Sequence, residues 1–433
     1  MLTNIISIVT LLVFTTATYA NPKIEHWLTE NGVPVYFVAA PELPMVDIQI
    51  IFDAGGAQDA ELSGQALLTN AILSEGAAGL DADQIAAGFD DLGARFGSSS
   101  QRDMAMLSLR SLTADSALEP ALELFHKVLI KPDFPQASFD RLQKQVSLSL
   151  QAEKQSPSAI ATRAFYSNLY GNHVYAGMPA GNEQSLQLIT VDTLKIFYAT
   201  HYVAEKATIV IVGALDKVKV KQIAQKLSAN LAHGKPSIIA MVADLTAEKI
   251  VNITHPSSQT HIVMGQPAIK RGDKDYFALY VGNHILGGSG LVSRLSDELR
   301  EKRGLTYSAY SYFRPMRQAG PYQLGLSTRN DQAQQALKVL RDTLVKFIED
   351  GPSAEELIAA KQNITGGFAL RVDSNSKIIG YLAMIGFYGL PLDYLDNFNE
   401  QVNAVTIEQI NNAFSRRIHP DKMVTILVGG DAE

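Results

Sequence analysis

Arg300 and Tyr307, seven positions apart in ELREKRGLTYSAYS (298–311), are residue types that could do chemistry together. A guanidinium is a rigid fork of donors suited to carbonyl oxygens. A phenol is a neutral donor that can meet negative charge as it develops. The surrounding pattern predicts a helix ending in SRLSDELREKRG, with Leu295 and Leu299 on one face and Gly304 just past the C-terminus. It predicts a strand over LTYSAYSYF with Leu305, Tyr307 and Ala309 on one side. The chain reverses at Gly304, so the two side chains can approach from different elements. Structural duties fit the same residues. Arg300, Lys302 and Arg303 would meet a helix C-terminal dipole at about 0.3–1 kcal/mol each, and Tyr307 could be a core tyrosine with a satisfied hydroxyl.

Little else in the chain competes for chemistry. Cysteine is absent, which excludes disulfides, thiolate zinc sites and thiol nucleophiles. The nine histidines form no pair at i, i+3 or i, i+4; His255 and His261 flank a proline-containing loop and read as surface or structural residues. LGGSGL (286–291) carries Gly287, Gly288 and Gly290. No Gly-Lys-Ser/Thr follows, so it is not a phosphate loop. It is either a flexible turn or a place where backbone approaches a ligand.

The elements that must position these residues occur twice. TVDTLKIFYATHYVAEKATIVIVG (190–213) and TIEQINNAFSRRIHPDKMVTILVG (406–429) each read as an amphipathic helix, a polar turn and a buried β-branched strand. Gly213 and Gly429 are offset by 216 residues; NLYG (168–171) and GFYG (386–389) are offset by 218. Between these blocks lie two helix–turn–helix patterns, ALELFHKVLIKPDFPQASFDRLQKQ and ALKVLRDTLVKFIEDGPSAEELIAAKQ. The expected fold class is α+β, with two similar α/β-sandwich halves from an internal duplication, arranged as a clamp. The expected boundaries are 21–232 and 246–433, joined by a linker over 233–245.

The chain has 433 residues, and 37 Lys+Arg against 44 Asp+Glu give a net charge of −7 without a basic run, so nucleic acid is not an expected partner. Residues 1–20 read as a secretory signal peptide: an apolar stretch from Ile5 to Phe14, then small and polar residues ending at Ala20. A ten-residue stretch is too short to span a membrane core of about 30 Å. Export is the expectation, to the periplasm if the host is Gram-negative, with no membrane anchor after cleavage.

The second-half stretch ILGGSGLVSRLSDELREKRGLTYSAYS, the first-half stretch GQALLTNAILSEGAAGLDADQIAAGFDDLGARF and the segment YGNHVYAGMPAGNEQSL resemble the pitrilysin/insulinase family of zinc peptidases, the inverzincins, in its shorter branch. The resemblance covers essentially the whole mature chain and implies the two-half inverzincin fold. In that family an H-x-x-E-H helix holds zinc and activates its water. Here the matching positions are Leu67, Asn70 and Ala71, and KQVSLSLQ (144–151), where a third ligand would fall, has no carboxylate; Glu153 lies close by. No metal is therefore expected in this chain. The resemblance implies that Arg300 and Tyr307 bind the substrate backbone, with the Tyr307 hydroxyl stabilising the oxyanion. It also implies that Gly287, Gly288 and Gly290 let backbone approach a bound peptide. The implied function is that of the zinc-less subunit of a two-chain peptidase, whose partner carries H-x-x-E-H and zinc. Rival expectations are a peptide-binding or chaperone-like clamp without a catalytic partner, and a structural subunit.

Overall fold

The computed structural model describes residues 23–430. The expected signal peptide lies outside them. The first half builds a six-stranded sheet from β1 (Glu25–Leu28), β2 (Pro34–Ala39), β3 (Met45–Phe52), β6 (Arg95–Ser100), β7 (Ala105–Leu112) and β8 (Ala207–Gly213); the short hairpin β4 (Gly76–Ala77) and β5 (Leu80–Asp81) stands apart. The sheet order is β1-β2-β8-β3-β7-β6. The second half builds β9 (Lys249–Ile253), β10 (Gln259–Ile269), β11 (Ala309–Phe313), β12 (Gly320–Arg329) and β13 (Val424–Val428) in the order β11-β12-β10-β13-β9.

The two sheets repeat one design. In the first, β2 runs parallel to β8, and β8, β3, β7 and β6 continue antiparallel. In the second, β9 runs parallel to β13, and β13, β10, β12 and β11 continue antiparallel. Strand β1 is the one addition. Sequence explains the layering: ATIVIVG of β8 is buried at every position, as a β-branched run covered on both faces should be. AMLSLRSL of β7 instead alternates buried and half-buried residues.

The halves are locked together by an exchange of helices. The Pro157–Tyr170 helix of the first half packs on β10 and β13 of the second, and the Asn375–Tyr388 helix of the second half packs on β8, β3 and β2 of the first. These helices end in the NLYG and GFYG repeats. Ile378, Ile379, Leu382 and Ile385 thus share one core with Tyr36, Val38, Val210 and Val212. Ala161, Phe165 and Leu169 share another with Val263, Ile426 and Val428. Each fully buried apolar side chain contributes about 1.5–3 kcal/mol, so this apolar exchange is the main bond between halves. At Gly386 an added Cβ would meet Tyr36 and Thr208 at 2.8 Å, so glycine permits the close approach of helix and sheet.

The equivalent tyrosines of the repeats both reach across the boundary. Tyr170 donates to Ala319 O at 3.1 Å, and Tyr388 donates to Asp103 Oδ2 at 2.9 Å. Asp103, 3% exposed, also accepts from Tyr175 Oη at 2.7 Å and from Arg317 N at 2.8 Å. Beside it, buried Arg102 donates to Tyr175 O at 2.6 Å and lies 4.1 Å over the Tyr166 ring. Residues 233–245 have no regular secondary structure, yet Ile239 is buried in the shared core and its carbonyl accepts from Gln318 Nε2 at 3.0 Å.

Candidate functional site

Arg300 sits in a short helix whose first turn, Arg294–Ser296, is capped by the Ser293 side chain. The helix then widens into π-type hydrogen bonding over Asp297–Glu301, with Lys302 N donating to Asp297 O at 2.9 Å. Leu295 and Leu299 are both fully buried, as their spacing predicts. Gly304, at φ +59, closes the helix in the left-handed region, and Leu305 N donates to Leu299 O at 2.8 Å. The predicted strand begins later than its alternation suggests, at Ala309. Leu305 and Ala309 are buried, but Tyr307 is 84% exposed, so the three do not share a face. The cause is local. Thr306 Oγ1 donates to Ser327 O at 2.7 Å, and Thr328 Oγ1 donates to Leu305 O at 2.5 Å, which pins the loop to β12 while Tyr307 projects outward.

Tyr307 is therefore not a core tyrosine. Its ring centre lies 5.2 Å from the Arg300 guanidinium carbon, a cation–π pair across the turn. The Arg300 side chain is 30% exposed, with the Glu301 carboxylate at 3.6 Å. Among the described residues the Tyr307 hydroxyl makes no hydrogen bond, so it remains a free donor.

Leu67, Asn70 and Ala71 lie on the Gln65–Ile72 helix. Leu67 and Ala71 offer only hydrocarbon. Asn70, 2% exposed, donates to Tyr202 Oη at 3.1 Å and so serves the core. Glu153 is paired with Arg163 at 2.6 Å. The donor set does not fit zinc, and no group of three or more His, Asp or Glu among the described residues is placed to hold a metal ion. Mass-spectrometric metal analysis of the purified, dialysed chain should find no stoichiometric zinc, and a chelator should leave its melting temperature unmoved; one tightly held zinc per chain would contradict this.

The same helix has an unusual cap. Gly64, at φ 99, supplies no side-chain oxygen, and Asp59 reaches the first turn instead, accepting from Gly64 N at 2.8 Å and Ala66 N at 2.6 Å. Burial pushes the Asp59 carboxyl up to about 7 from its ordinary value of 3.8, the two main-chain donors offsetting part of that rise. A carboxyl raised in the folded state favours folding at acid pH and loses that contribution as pH climbs through 7. The shift corresponds to about 4 kcal/mol at most. Melting curves of the parent and Asp59→Asn should therefore show the parent losing ground to the variant between about pH 4 and pH 7. A pH-independent gap between them would refute the assignment.

Gly287, Gly288 and Gly290 line a cleft of about 750 Å³ beside β11, whose lining includes neither Arg300 nor Tyr307. All three glycines have packing or turn duties; a Cβ on Gly288 would lie 2.9 Å from Asn283 Nδ2. A Cβ on Gly287 would lie 2.3 Å from Ser311 Oγ, and Gly290 adopts φ +67. Sequence reasoning missed the charged residues of this cleft, Arg271, Arg314 and Arg371, because they are scattered along the chain. It also missed Asp103 and Arg102. The offset between the repeats, which aligns Tyr170 with Tyr388, was the available signal for that boundary.

Among the described residues no helix is long and apolar enough to cross a membrane. The family model described as "Insulinase (Peptidase family M16)" matches residues 35–178, and that described as "Peptidase M16 inactive domain" matches residues 188–364. A crystal structure titled as a peptidase M16 inactive domain from Pseudomonas fluorescens is 42% identical, with TM-score 0.91, over 94% of this chain and 98% of that one. A Bacillus subtilis relative named "Uncharacterized zinc protease YmxG" is 24% identical over 90% of this chain and 94% of its own length. A Helicobacter pylori relative named "Non-peptidase homolog YmxG" is 26% identical over 89% of each. With its duplicated sheets and its ligand-free Gln65–Ile72 helix, the chain belongs to the insulinase family, peptidase family M16.

Proposed function

We propose that this chain is the zinc-less subunit of a two-chain zinc peptidase and that it supplies Arg300 and Tyr307 to the partner's site. The observation that carries the reading is the contrast between two places. The helix that would hold zinc has hydrocarbon and a core-bound amide at Leu67, Asn70 and Ala71, whereas Tyr307 projects with a free hydroxyl against Arg300. A purely structural subunit has no use for that exposed pair.

The partner would bring H-x-x-E-H, zinc and the activated water. In this chain, Arg300 would hold a substrate carbonyl with its guanidinium fork. The Tyr307 hydroxyl would donate to the oxygen as negative charge builds in the tetrahedral transition state. The Arg300 ring contact orients Tyr307 without consuming its hydroxyl, so the donor is ready when the charge develops. Gly287, Gly288 and Gly290 would border the bound peptide. We further propose that residues 1–20 direct export, leaving 21–232 and 246–433 as the two working halves joined by 233–245. The naming of the Helicobacter pylori relative as a non-peptidase homolog supports inactivity in isolation.

The test is capture of the tagged chain from its own host. A similar-sized H-x-x-E-H chain should co-purify in near-equal amount. Recovery of the chain only with itself would favour a peptide-binding clamp instead.

A further inference from the structure

The cleft beside β11 carries a charge pattern that the Arg300–Tyr307 pair does not explain. Three arginines from three separate places line it: Arg271 just past β10, Arg314 just past β11, and Arg371 in the short helix Ala369–Arg371. No aspartate or glutamate is among the lining residues. Among the described residues none of the three arginines makes an ion pair. Asp273 and Asp275, close to Arg271 in sequence, are engaged instead by Arg416 and Arg417. Arg271 Nε is buried with no hydrogen-bond partner, and its guanidinium carbon lies 5.5 Å over the Tyr388 ring. Arg371 is held by neutral partners only, the phenols of Tyr280, reached by Nη1 at 2.9 Å, and Tyr381.

Three guanidiniums facing one concave site with no carboxylate in its lining present a positive field that an anionic ligand would meet. Aromatic rings line the same cleft. Tyr310 and Tyr312 are stacked with centroids 5.8 Å apart and are both exposed, and Tyr276 and Tyr280 stack at 5.7 Å. A wall that mixes charged forks with aromatic faces suits a ligand that alternates carboxylates with apolar groups better than it suits a bare inorganic anion. The volume, about 750 Å³, accommodates a few side chains. The chain's net charge of −7 disfavours an extended polyanion.

We propose that this cleft binds an acidic, partly apolar peptide segment, with Arg271, Arg314 and Arg371 taking its carboxylates. The inference shares with the proposed function the peptide placed along Gly287, Gly288 and Gly290, which line this cleft, but not the role given to Arg300 and Tyr307; neither lines the cleft and the test needs no hydrolysis, so the two can fail separately.

Isothermal titration of the mature chain, with no partner present, would use a capped hexapeptide of alternating glutamate and leucine and its glutamine counterpart. The glutamate peptide should bind on the order of tenfold more tightly, as expected for charge-assisted contacts, and should weaken with added salt. Arg314→Gln and Arg371→Gln should each cut that preference roughly threefold, and the double variant should bring the two peptides close to equal affinity. Thermal melts would show that the variants are folded; the comparison of the two peptides on the unaltered chain stands even if they are not. Equal binding of the two peptides, or an unchanged preference in a folded double variant, would overturn the proposal. So would displacement of the glutamate peptide by an equal concentration of inorganic phosphate, or tighter binding to phosphatidylglycerol vesicles that is lost in the same variants.

Discussion

Tyr307→Phe is expected to lower the turnover of a reconstituted two-chain peptidase by ~10²–10³-fold, the usual loss when one oxyanion donor is removed. The substitution deletes one hydroxyl that has no partner among the described residues and keeps the ring on Arg300, so the melting temperature should not move. KM should change much less than kcat, because the contact strengthens mainly in the transition state. Arg300→Ala should differ by raising KM as well, since it removes a contact made to the ground-state backbone, and should loosen Tyr307. Steady-state kinetics with matched subunit association would check both. A Tyr307→Phe complex that turns over at the parental rate would leave the pair without a catalytic role.

Asp103→Ala should be the most damaging single change to the scaffold. Asp103 accepts from Tyr175, Tyr388 and the Arg317 main chain, two of them donated from the second half of the chain. Truncation strands those donors in a buried site, at about 1–3 kcal/mol for each. A total loss on the order of 3–5 kcal/mol would lie in the tail of single-substitution effects. As a control, Asp115→Ala removes a carboxylate that is 80% exposed and should cost little. Denaturant titration of both variants is the check, and an Asp103→Ala chain as stable as its parent would show that the exchanged helices alone hold the halves together.

The duplication was legible in the sequence because each repeat combines two periodicities, a helical stripe followed by a β-branched run. Those patterns return as the matching strand orders of the two sheets and as β8 and β13. Less legible was where the repeats go. The Pro157–Tyr170 and Asn375–Tyr388 helices show apolar faces, but no local pattern says that each covers the other half's sheet. The β6 strand, RFGSSS, was missed because four of its six residues are glycine or serine and none is fully buried. At the site, Leu295, Leu299 and Gly304 could be placed from spacing and backbone chemistry. Tyr307 could not, because its exposure depends on Thr306 and Thr328 tying the loop to β12, contacts between residues far apart in the chain. The arginine cleft was invisible for the same reason.

Complementation tests the central claim most directly. Peptide hydrolysis would be followed while this chain is titrated into a fixed amount of the zinc-bearing H-x-x-E-H chain captured with it. Neither chain alone should hydrolyse peptide, and the rate should rise to a plateau at equimolar mixing. A zinc-bearing chain already fully active and indifferent to the addition, or hydrolysis by this chain alone, would contradict the account.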